Sequence, residues 1–428
     1  MSAKISSIWL IFEKLFALFL SLIVTIFLAR YLAPDKFGEL NLLISLVALL
    51  GPLGALGLNS IITKEVIHRE QKTKTIIGTS LALRTLASLL VGVVAIIFAK
   101  YYLPPSMFLG FIILVVGQIF QSLLVFDFWI QAKVLNKSAV KARTFVLVTM
   151  SLFKLFGIWQ EYSLLFFVVV TAVEMALLCI CLTVIYHSKT KQLFELSFAK
   201  DESINLLKQS WWLLLSGMAA IVYLKIDQVM LGWLSTIEEV GIYAVAARLS
   251  EVWYFFPIAI VSSYFPQLLS AKKSSEKNYV QQLQQLSDVL CMSALFLAIA
   301  TQIIAPWGLT YLFGQAYAES AQVLVIHIWA GVFIFMRALL SKWLIAENLL
   351  YYSLVTQVLG AVMNILGNLL FIPIYGAQGA ALATIVGYTT ASYLALFCNK
   401  STLPMARIMT YSILWPVRAL FYRDRLYK

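Results

Sequence analysis

The chain has 428 residues, of which 61% are hydrophobic and only 12% are charged. Soluble domains carry roughly 45–50% apolar and about 25% charged residues, so this composition excludes a soluble enzyme, a disordered chain and a disulfide-rich scaffold. Apolar runs long enough to cross a bilayer recur from end to end, which predicts an all-α polytopic membrane protein. A β-barrel would instead show short segments of alternating polarity.

Twelve membrane-spanning helices are predicted from these apolar runs, each near the length that a bilayer requires. In chain order they cover residues 8–29, 38–62, 76–99, 107–131, 142–160, 163–186, 210–234, 240–268, 284–305, 320–342, 351–373 and 378–398. The weakest boundary separates the fifth and sixth spans, because only Gln160 and Glu161 interrupt the apolar run there.

The distribution of Lys and Arg predicts the orientation of these spans. If the N-terminus is inside, the predicted cytoplasmic segments hold 23 of the 32 Lys and Arg residues, whereas the opposite loops hold three. Basic residues collect on the cytoplasmic side of membrane proteins, so both termini are predicted to be cytoplasmic. The same rule accounts for the net charge of +12 without a nucleic-acid partner.

The predicted domain organisation has two halves. An N-terminal six-helix bundle covers 1–187, a cytoplasmic linker 188–209, a C-terminal six-helix bundle 210–400, and a basic tail 401–428, expected to be an interfacial amphipathic helix. Two landmarks recur. The turn at 29–38 is echoed at 231–241, and Phe-Trp-Ile-Gln-Ala at 128–132 is echoed by Lys-Trp-Leu-Ile-Ala at 342–346. Repeated halves of equal helix number are typical of transporters.

Several motifs resemble those of one membrane family. In the first half they are Ala-Arg-Tyr-Leu-Ala-Pro-Asp-Lys-Phe-Gly at 29–38 and Gly57-Leu58-Asn59 before Lys64-Glu65. In the second half they are the stretches at 226–232, 241–243 and 247–251, and the run from Asn364 through Asn368, Ile372-Pro373 and Tyr375-Gly376 to Gly379-Ala380. In order and spacing, the chain resembles a Wzx-type flippase for O-antigen, capsule or exopolysaccharide repeat units. The superfamily of that flippase also holds the multidrug MATE exporters and the lipid II flippase.

This resemblance implies a MATE-like fold of two six-helix bundles around a central cavity. It also implies a substrate, an undecaprenyl-diphosphate-linked oligosaccharide, that moves from the cytoplasmic to the outer leaflet of the bacterial inner membrane. Alternating access driven by an ion gradient or the membrane potential is the expected mechanism. The expected partners are the lipid-linked oligosaccharide, membrane lipids, a coupling proton or sodium ion, and other membrane proteins of polysaccharide assembly.

The candidate substrate-binding residues are polar groups inside the spans, where a charge costs about 3 kcal/mol or more. Arg84, Lys225 and Arg248 lie well inside their spans, and Lys14 and Arg337 lie nearer the cytoplasmic ends, where snorkelling is an alternative. Arg and Lys suit a lipid diphosphate, and Asn364 and Asn368 suit sugar hydroxyls. For each cation, a structural role, in which it ties helices together through a carboxylate, remains open.

Asp227 and Glu251 are the candidate ion-coupling residues. Arg248 and Glu251 are three residues apart on one helix face, so Glu251 could also simply neutralise Arg248. His327 has no second metal ligand beside it in the sequence, so we expect a packed histidine and no metal site. The sequence contains no nucleotide-binding, serine-nucleophile or zinc-protease motif, which favours a non-enzymatic protein without a cofactor.

Three functions remain open from the sequence. The leading hypothesis is the lipid-linked oligosaccharide flippase. The second is a MATE-like multidrug or small-molecule exporter, which would favour acidic groups for its cationic substrates. The third is a membrane-embedded glycosyltransferase or polymerase, which usually carries large extramembrane loops that this chain lacks.

Overall fold

The computed structural model describes residues 3–191, 195–415 and 418, with side chains from Glu13 onwards. These residues form helices and no strand. Ten helical stretches in this described part of the chain are long and apolar enough to cross a membrane. Two of them, Glu13–His68 and Leu350–Cys398, lose helical geometry at Ala33 and Gly376, so their arms counted separately give twelve spans among the described residues. The predicted all-α polytopic membrane fold is confirmed.

The chain divides into two compact units, Met1–Lys225 and Ile226–Lys428. The first unit contains α1 to α7 and most of α8. Their bounds are α1 Ala3–Ala55, α2 Asn59–His68, α3 Thr73–Tyr102, α4 Pro105–Ile119, α5 Val125–Ala132, α6 Asn136–Trp159, α7 Leu164–Thr190 and α8 Lys200–Leu234. Its apolar core includes Leu58, Phe126, Trp129 and Tyr186, which are all buried.

The second unit contains the end of α8 and seven further helices. These are α9 Ile237–Glu251, α10 Phe255–Ser274, α11 Glu276–Phe313, α12 Ser320–His327, α13 Ala330–Ala346, α14 Leu350–Ser392 and α15 Leu403–Ile413. Its core joins α10, α11, α13 and α15 through residues such as Leu290, Met336, Trp343 and Met409.

The two interruptions have clear local causes. Ala33 precedes Pro34, and a residue before proline is disfavoured in helical conformation while proline itself suits the first turn of a new helix. At Gly376 the backbone has φ +53°, and the backbone N–H of Ala377 donates to Glu239 Oε2 at 2.7 Å. Glu239 therefore caps the second arm of α14, and glycine supplies the conformation that this turn requires.

The same type of turn occurs once in each unit. After Trp129 and after Trp343 the helix ends with the same three backbone hydrogen bonds, and the left-handed residue is Val134 in the first case and Asn348 in the second. A second pair of left-handed residues, Glu161 and Gly376, lies between the fifth and sixth and between the eleventh and twelfth spans. The separation is 214 residues for the first pair and 215 for the second, as expected for a duplicated unit.

The segment predicted as a linker, 188–209, has more structure than expected. Residues from Lys200 onwards already belong to α8. The boundary between the two compact units falls between Lys225 and Ile226 and not within this segment. The preceding residues are held against α3: Ser197 Oγ lies 2.9 Å from Thr75 Oγ1, and the N–H of Ala199 donates to Thr79 Oγ1 at 3.1 Å. The described part of this segment is thus anchored to the first unit.

The start of the predicted tail also packs into the protein. In α15, Met405, Ala406, Ile408 and Met409 are buried in the core of the second unit. Ser412 donates to Ser287 of α11 at 2.8 Å, so this helix is integrated with α11. Residues 403–413 are thus a helix packed on the second unit, and an interfacial position for the tail stays a prediction. The last part of the tail, 419–428, lies outside the described residues.

Candidate functional site

Arg84 is the centre of a polar site in the first unit. It lies on α3 between Ser80 and Ser88, a stripe at helical spacing, and only 3% of its surface is exposed. Its Nη1 donates to Asn59 Oδ1 at 2.7 Å, and its Nη2 donates to the carbonyl oxygen of Gln121 at 3.3 Å. Both partners are neutral, so neither cancels the charge of the guanidinium.

The Arg84 guanidinium keeps unused hydrogen-bonding capacity. Among the described residues no carboxylate lies within 4 Å of it, and Arg84 Nε has no hydrogen-bond partner. The guanidinium carbon lies 5.5 Å from the centre of the Phe128 ring, a cation–π contact that compensates part of the charge. A buried donor without a partner is costly, which favours an anionic or hydroxylated ligand beside Arg84.

A cavity of about 530 Å³ opens beside Arg84 within the first unit. Its walls come from α1, α2, α3, α4, α7, α8 and the turn before α5. The polar side chains that line it with Arg84 are all neutral: Asn59, Ser60, Ser88, Gln118, Gln121 and Ser122. No Asp or Glu is among the described residues that line it. One fixed positive charge with amides and hydroxyls around it suits an anion that carries hydroxyl groups.

The Gly57-Leu58-Asn59 motif positions this site. Gly57 has φ +66°, and a Cβ there would lie 2.4 Å from the backbone nitrogen of Leu214 on α8. Only glycine therefore allows α1, α2 and α8 to approach so closely. Leu58 is fully buried in the core, and Asn59 is the residue that accepts the hydrogen bond from Arg84. Each of the three residues of this motif thus has its own structural role.

Asp227 is the centre of a second polar site, in the second unit, and only 1% of its surface is exposed. Its Oδ1 accepts hydrogen bonds from Asn364 Nδ2 at 2.9 Å and Asn368 Nδ2 at 2.6 Å. Its Oδ2 accepts from Tyr243 Oη at 2.8 Å and Thr384 Oγ1 at 2.7 Å. The carboxylate is therefore held by four neutral donors, one from α9 and three from the two arms of α14.

The second arm of α14 brings these donors together by close packing of small residues. A Cβ added at Gly387 would lie 2.7 Å from the Cβ of Asn364, and one added at Gly360 would lie 2.5 Å from the Cβ of Ala391. Small residues let two membrane helices approach closely. The approach carries Asn364 and Thr384 to the same carboxylate.

The Asp227 site has the chemistry of a small-cation or proton site. Asn368 Oδ1 has no hydrogen-bond partner among the described residues, although it is buried. Rotation of an amide about its last bond exchanges its N–H donors for an oxygen. With the amides turned, carboxylate, amide and hydroxyl oxygens would converge, which is the ligand set that hard cations prefer. Protonation of the carboxylate would neutralise the same buried charge.

His327 packs beside this site as a single histidine. Its ring centre lies 5.7 Å from that of Tyr243 in a T-shaped arrangement, and only 3% of its surface is exposed. Its Nδ1 has no hydrogen-bond partner among the described residues. The histidine therefore serves in packing against the ring whose hydroxyl binds Asp227.

Arg337, a predicted substrate-binding residue, is enclosed by backbone and hydroxyl acceptors. Its Nη1 donates to Thr356 Oγ1 at 2.8 Å and to the carbonyl oxygen of Ala391 at 2.7 Å. A third donation reaches the carbonyl oxygen of Ser353 at 3.4 Å. These contacts join α13 to both arms of α14, and a snorkelling side chain would be exposed, whereas Arg337 is 8% exposed.

The structure does not bring the other predicted residues into either site. Lys14 on α1 and Arg248 on α9 are exposed, whereas Lys225 on α8 and Glu251 on α9 are half-buried. Each of the four interacts with other groups of the chain. Asn364 and Asn368, predicted to bind sugar, instead surround Asp227. Tyr243 and Asn59 complete the two sites; the sequence places both in family motifs but not among the candidate site residues.

Three ion pairs inside the spans account for other buried charges. Arg143 Nη2 donates to both oxygens of Asp127 at 2.7 Å, and Arg143 Nη1 lies 3.8 Å from Glu13. Lys154 donates to Glu174 Oε2 at 2.6 Å. The paired charges tie α1, α5, α6 and α7 together. Arg84 differs from all of them because its charge faces neutral groups and a cavity.

The chain belongs to the polysaccharide biosynthesis protein family, whose model matches residues 5–272. It is 27% identical over 188 residues to the probable flippase AglR of Haloferax volcanii, which covers 42% of this chain and 39% of the relative. It is also 25% identical over 231 residues to the probable low-salt glycan biosynthesis flippase Agl15 of the same organism, covering 48% and 47%. The chain thus spans less than half the length of these curated relatives.

Solved structures show the same fold. The lipid II flippase MurJ in an inward closed conformation matches with a TM-score of 0.70 and 12% identity, covering 99% of this chain and 94% of that one. An inward-facing multidrug resistance MATE family transporter of the MOP superfamily matches with a TM-score of 0.69 and 14% identity, covering 96% of both. The predicted resemblance to polysaccharide flippases and their MATE-like fold is confirmed.

Proposed function

We propose that the protein is a flippase for a lipid-linked glycan, with Arg84 as the residue that binds the phosphate groups of the lipid carrier. The observation that carries this proposal is a buried guanidinium without a carboxylate partner, at the wall of a cavity of about 530 Å³ lined by amides and hydroxyls. A diphosphate supplies the charge that Arg84 lacks, and sugar hydroxyls match the neutral lining.

We further propose a specific substrate, a direction of transport and a driving ion. An undecaprenyl-diphosphate-linked oligosaccharide would be moved from the cytoplasmic to the outer leaflet of a bacterial inner membrane by alternating access. A proton or sodium ion at Asp227 would drive it, since that site holds a buried carboxylate beside two amides and two hydroxyls, and the amides would present their oxygens once turned. The family and the names of its relatives support the flippase. The Arg84 and Asp227 sites support the division of roles between the two units.

The alternative of a MATE-like exporter fits the Arg84 cavity less well. A cationic drug needs a carboxylate or an aromatic cage, whereas the described lining of this cavity holds one arginine and no Asp or Glu. A glycosyltransferase or polymerase is not favoured either, because both curated relatives are named as flippases.

Binding of farnesyl diphosphate to the purified protein in nanodiscs tests the role of Arg84. We expect Arg84→Gln to weaken binding about tenfold or more, because a charge-assisted hydrogen bond contributes about 1.5–3 kcal/mol. Arg84→Lys should fall between, and farnesol, which has no phosphate, should bind all forms alike. Arg337→Gln is the matched control, and we expect it to lower the unfolding temperature while the folded fraction still binds. Unchanged diphosphate binding by Arg84→Gln would show that this role is wrong.

A further inference from the structure

A second polar pocket lies in the second unit, between α10 and α11, with a volume of about 250 Å³. Its polar groups are Tyr264 and Gln267 from α10, and Gln282 and Gln285 from α11. Leu268 and Leu286 form part of its apolar wall. No charged residue is among the described residues that line it, so neither the proposed phosphate site nor the proposed ion site accounts for it.

The polar ends of these side chains are available for a ligand. No described residue forms a hydrogen bond with the amides of Gln267 and Gln285 or with the hydroxyl of Tyr264. Gln282 uses only its Nε2, which donates to Asn278 Oδ1 at 3.1 Å. In contrast, Gln284 on the same helix bonds the carbonyl oxygen of Ile408 and the hydroxyl of Ser412, so it holds α15 in place.

The chemistry of this pocket matches a neutral sugar. Each glutamine amide offers one acceptor oxygen and two N–H donors, and each sugar hydroxyl both donates and accepts. The ring of Tyr264, half-exposed, and the leucines give an apolar surface for the C–H face of a pyranose. A phosphate or a cation would find no opposite charge there. Amides and hydroxyls without charge therefore select hydroxylated, uncharged ligands.

The pocket lies near the end of the spans that is predicted to face the cytoplasm, where a lipid-linked glycan would bind before transport. Gln267 is five residues before Lys272, about 8 Å along a helix, and the Lys272–Lys273 pair belongs to the segment that the Lys and Arg distribution predicts to be cytoplasmic. Both helices meet close by at Ser275, which caps α11 by accepting from the N–H of Asn278.

We propose that this glutamine pocket binds neutral sugar residues of the transported glycan and thereby contributes to substrate selection. The inference rests on the proposed flippase function and deepens it. A pocket built to hydrogen-bond hydroxyls discriminates strongly against ligands without them, because its own polar groups would then stay unsatisfied. The pocket thus distinguishes a glycan-loaded carrier from the bare carrier lipid.

The test compares farnesyl diphosphate with three farnesyl-diphosphate-linked sugars, carrying glucose, galactose or N-acetylglucosamine, by calorimetry on the protein in nanodiscs free of glycolipid. We expect at least one sugar-bearing probe to bind the unaltered protein about tenfold more tightly than farnesyl diphosphate. In the Gln267→Ala/Gln285→Ala double variant this preference should disappear, while farnesyl diphosphate binds as before. Gln281→Ala, an exposed glutamine of α11 outside the pocket, is the matched control and should keep the preference.

The outcomes separate this inference from the proposed function. If no sugar-bearing probe binds more tightly than farnesyl diphosphate, or if the double variant keeps the preference, the glutamine pocket is not a sugar site, although the Arg84 role can stand. If Arg84→Gln binds farnesyl diphosphate normally while the double variant loses the sugar preference, the phosphate proposal fails and the sugar site stands. If the unaltered protein binds none of the probes, both proposals are wrong.

Discussion

At the scale of single residues, Asp227 is the acid that the geometry favours for ion coupling. Its carboxylate is buried and held by four neutral donors, whereas Glu251, the other candidate, is only half-buried on α9. Ion binding to a carboxylate couples to substrate binding at a distant site when both bias the same conformational change. The enclosed position of Asp227 makes its charge state sensitive to such a change.

We predict that Asp227→Asn abolishes gradient-dependent transport in reconstituted vesicles, with a loss of about tenfold or more in the stimulation by an imposed pH or sodium gradient. The amide keeps the size of the side chain but removes the charge that an ion would neutralise. Glu251→Gln is the matched control and should keep most of the stimulation. The reverse pattern, loss in Glu251→Gln and full stimulation in Asp227→Asn, would assign coupling to Glu251.

The sequence predicted part of these sites at the residue scale. Asn364 and Asn368 were identifiable as one polar stripe, because residues four apart share a helix face. Their partner was not identifiable, since Asp227 lies 137 and 141 residues away and helical periodicity does not tell which helices face each other. Likewise Arg84 was a clear candidate, but its lack of a carboxylate partner depends on the packing of α2, α4 and α7 around it.

At the scale of helices, the turn at Gly376 decides whether the two arms of α14 meet. Its φ of +53° is unfavourable for residues other than glycine, and a Cβ there would lie 2.8 Å from the Glu239 carboxylate that caps the next arm. The asparagines of the first arm and Thr384 of the second both bind Asp227. A strained turn would therefore weaken both the fold and the Asp227 site.

We predict that Gly376→Ala destabilises the protein by about 1–3 kcal/mol, from the strained backbone and the contact with Glu239. Thermal unfolding in detergent, followed by the exposure of buried cysteines to a fluorescent thiol reagent, measures the change. Gly331→Ala is the matched control, because it lies within α13 with open space around it and alanine favours a helix. Equal unfolding temperatures for Gly376→Ala and the unaltered protein would contradict this role of the turn.

The sequence predicted the spans better than their ends. Even the weak boundary at Gln160 and Glu161 separates α6 from α7, because a left-handed residue at Glu161 stops the helix. The ends of α8 and α15 differ from prediction because polar residues there remain helical when tertiary contacts satisfy them. Arg69, for example, binds Glu202 of α8 with two hydrogen bonds, of 2.9 Å and 2.5 Å. A hydropathy scale counts such a residue as charged but does not show which other residue neutralises the charge.

At the scale of the whole molecule, the Lys and Arg distribution predicts that both termini are cytoplasmic. Single cysteines at exposed Glu238 and Lys273, in a background without the four native cysteines, test this topology. We expect an impermeant thiol reagent to label position 238 in intact cells and position 273 only after permeabilisation. Glu239 is unsuitable as a labelling site because it caps α14. Labelling of 273 but not 238 in intact cells would invert the predicted orientation.

The proposed flippase moves a lipid-linked glycan across a bilayer with Arg84 at its phosphate. The most direct measurement is transfer of a fluorescent farnesyl-diphosphate-linked disaccharide between the leaflets of proteoliposomes, scored by the accessibility of the probe to an external quencher. We predict transfer by the unaltered protein, little transfer by Arg84→Gln despite normal reconstitution, and no uptake of a cationic dye such as ethidium. Ethidium uptake without any transfer of the glycolipid would contradict the account and identify an exporter instead.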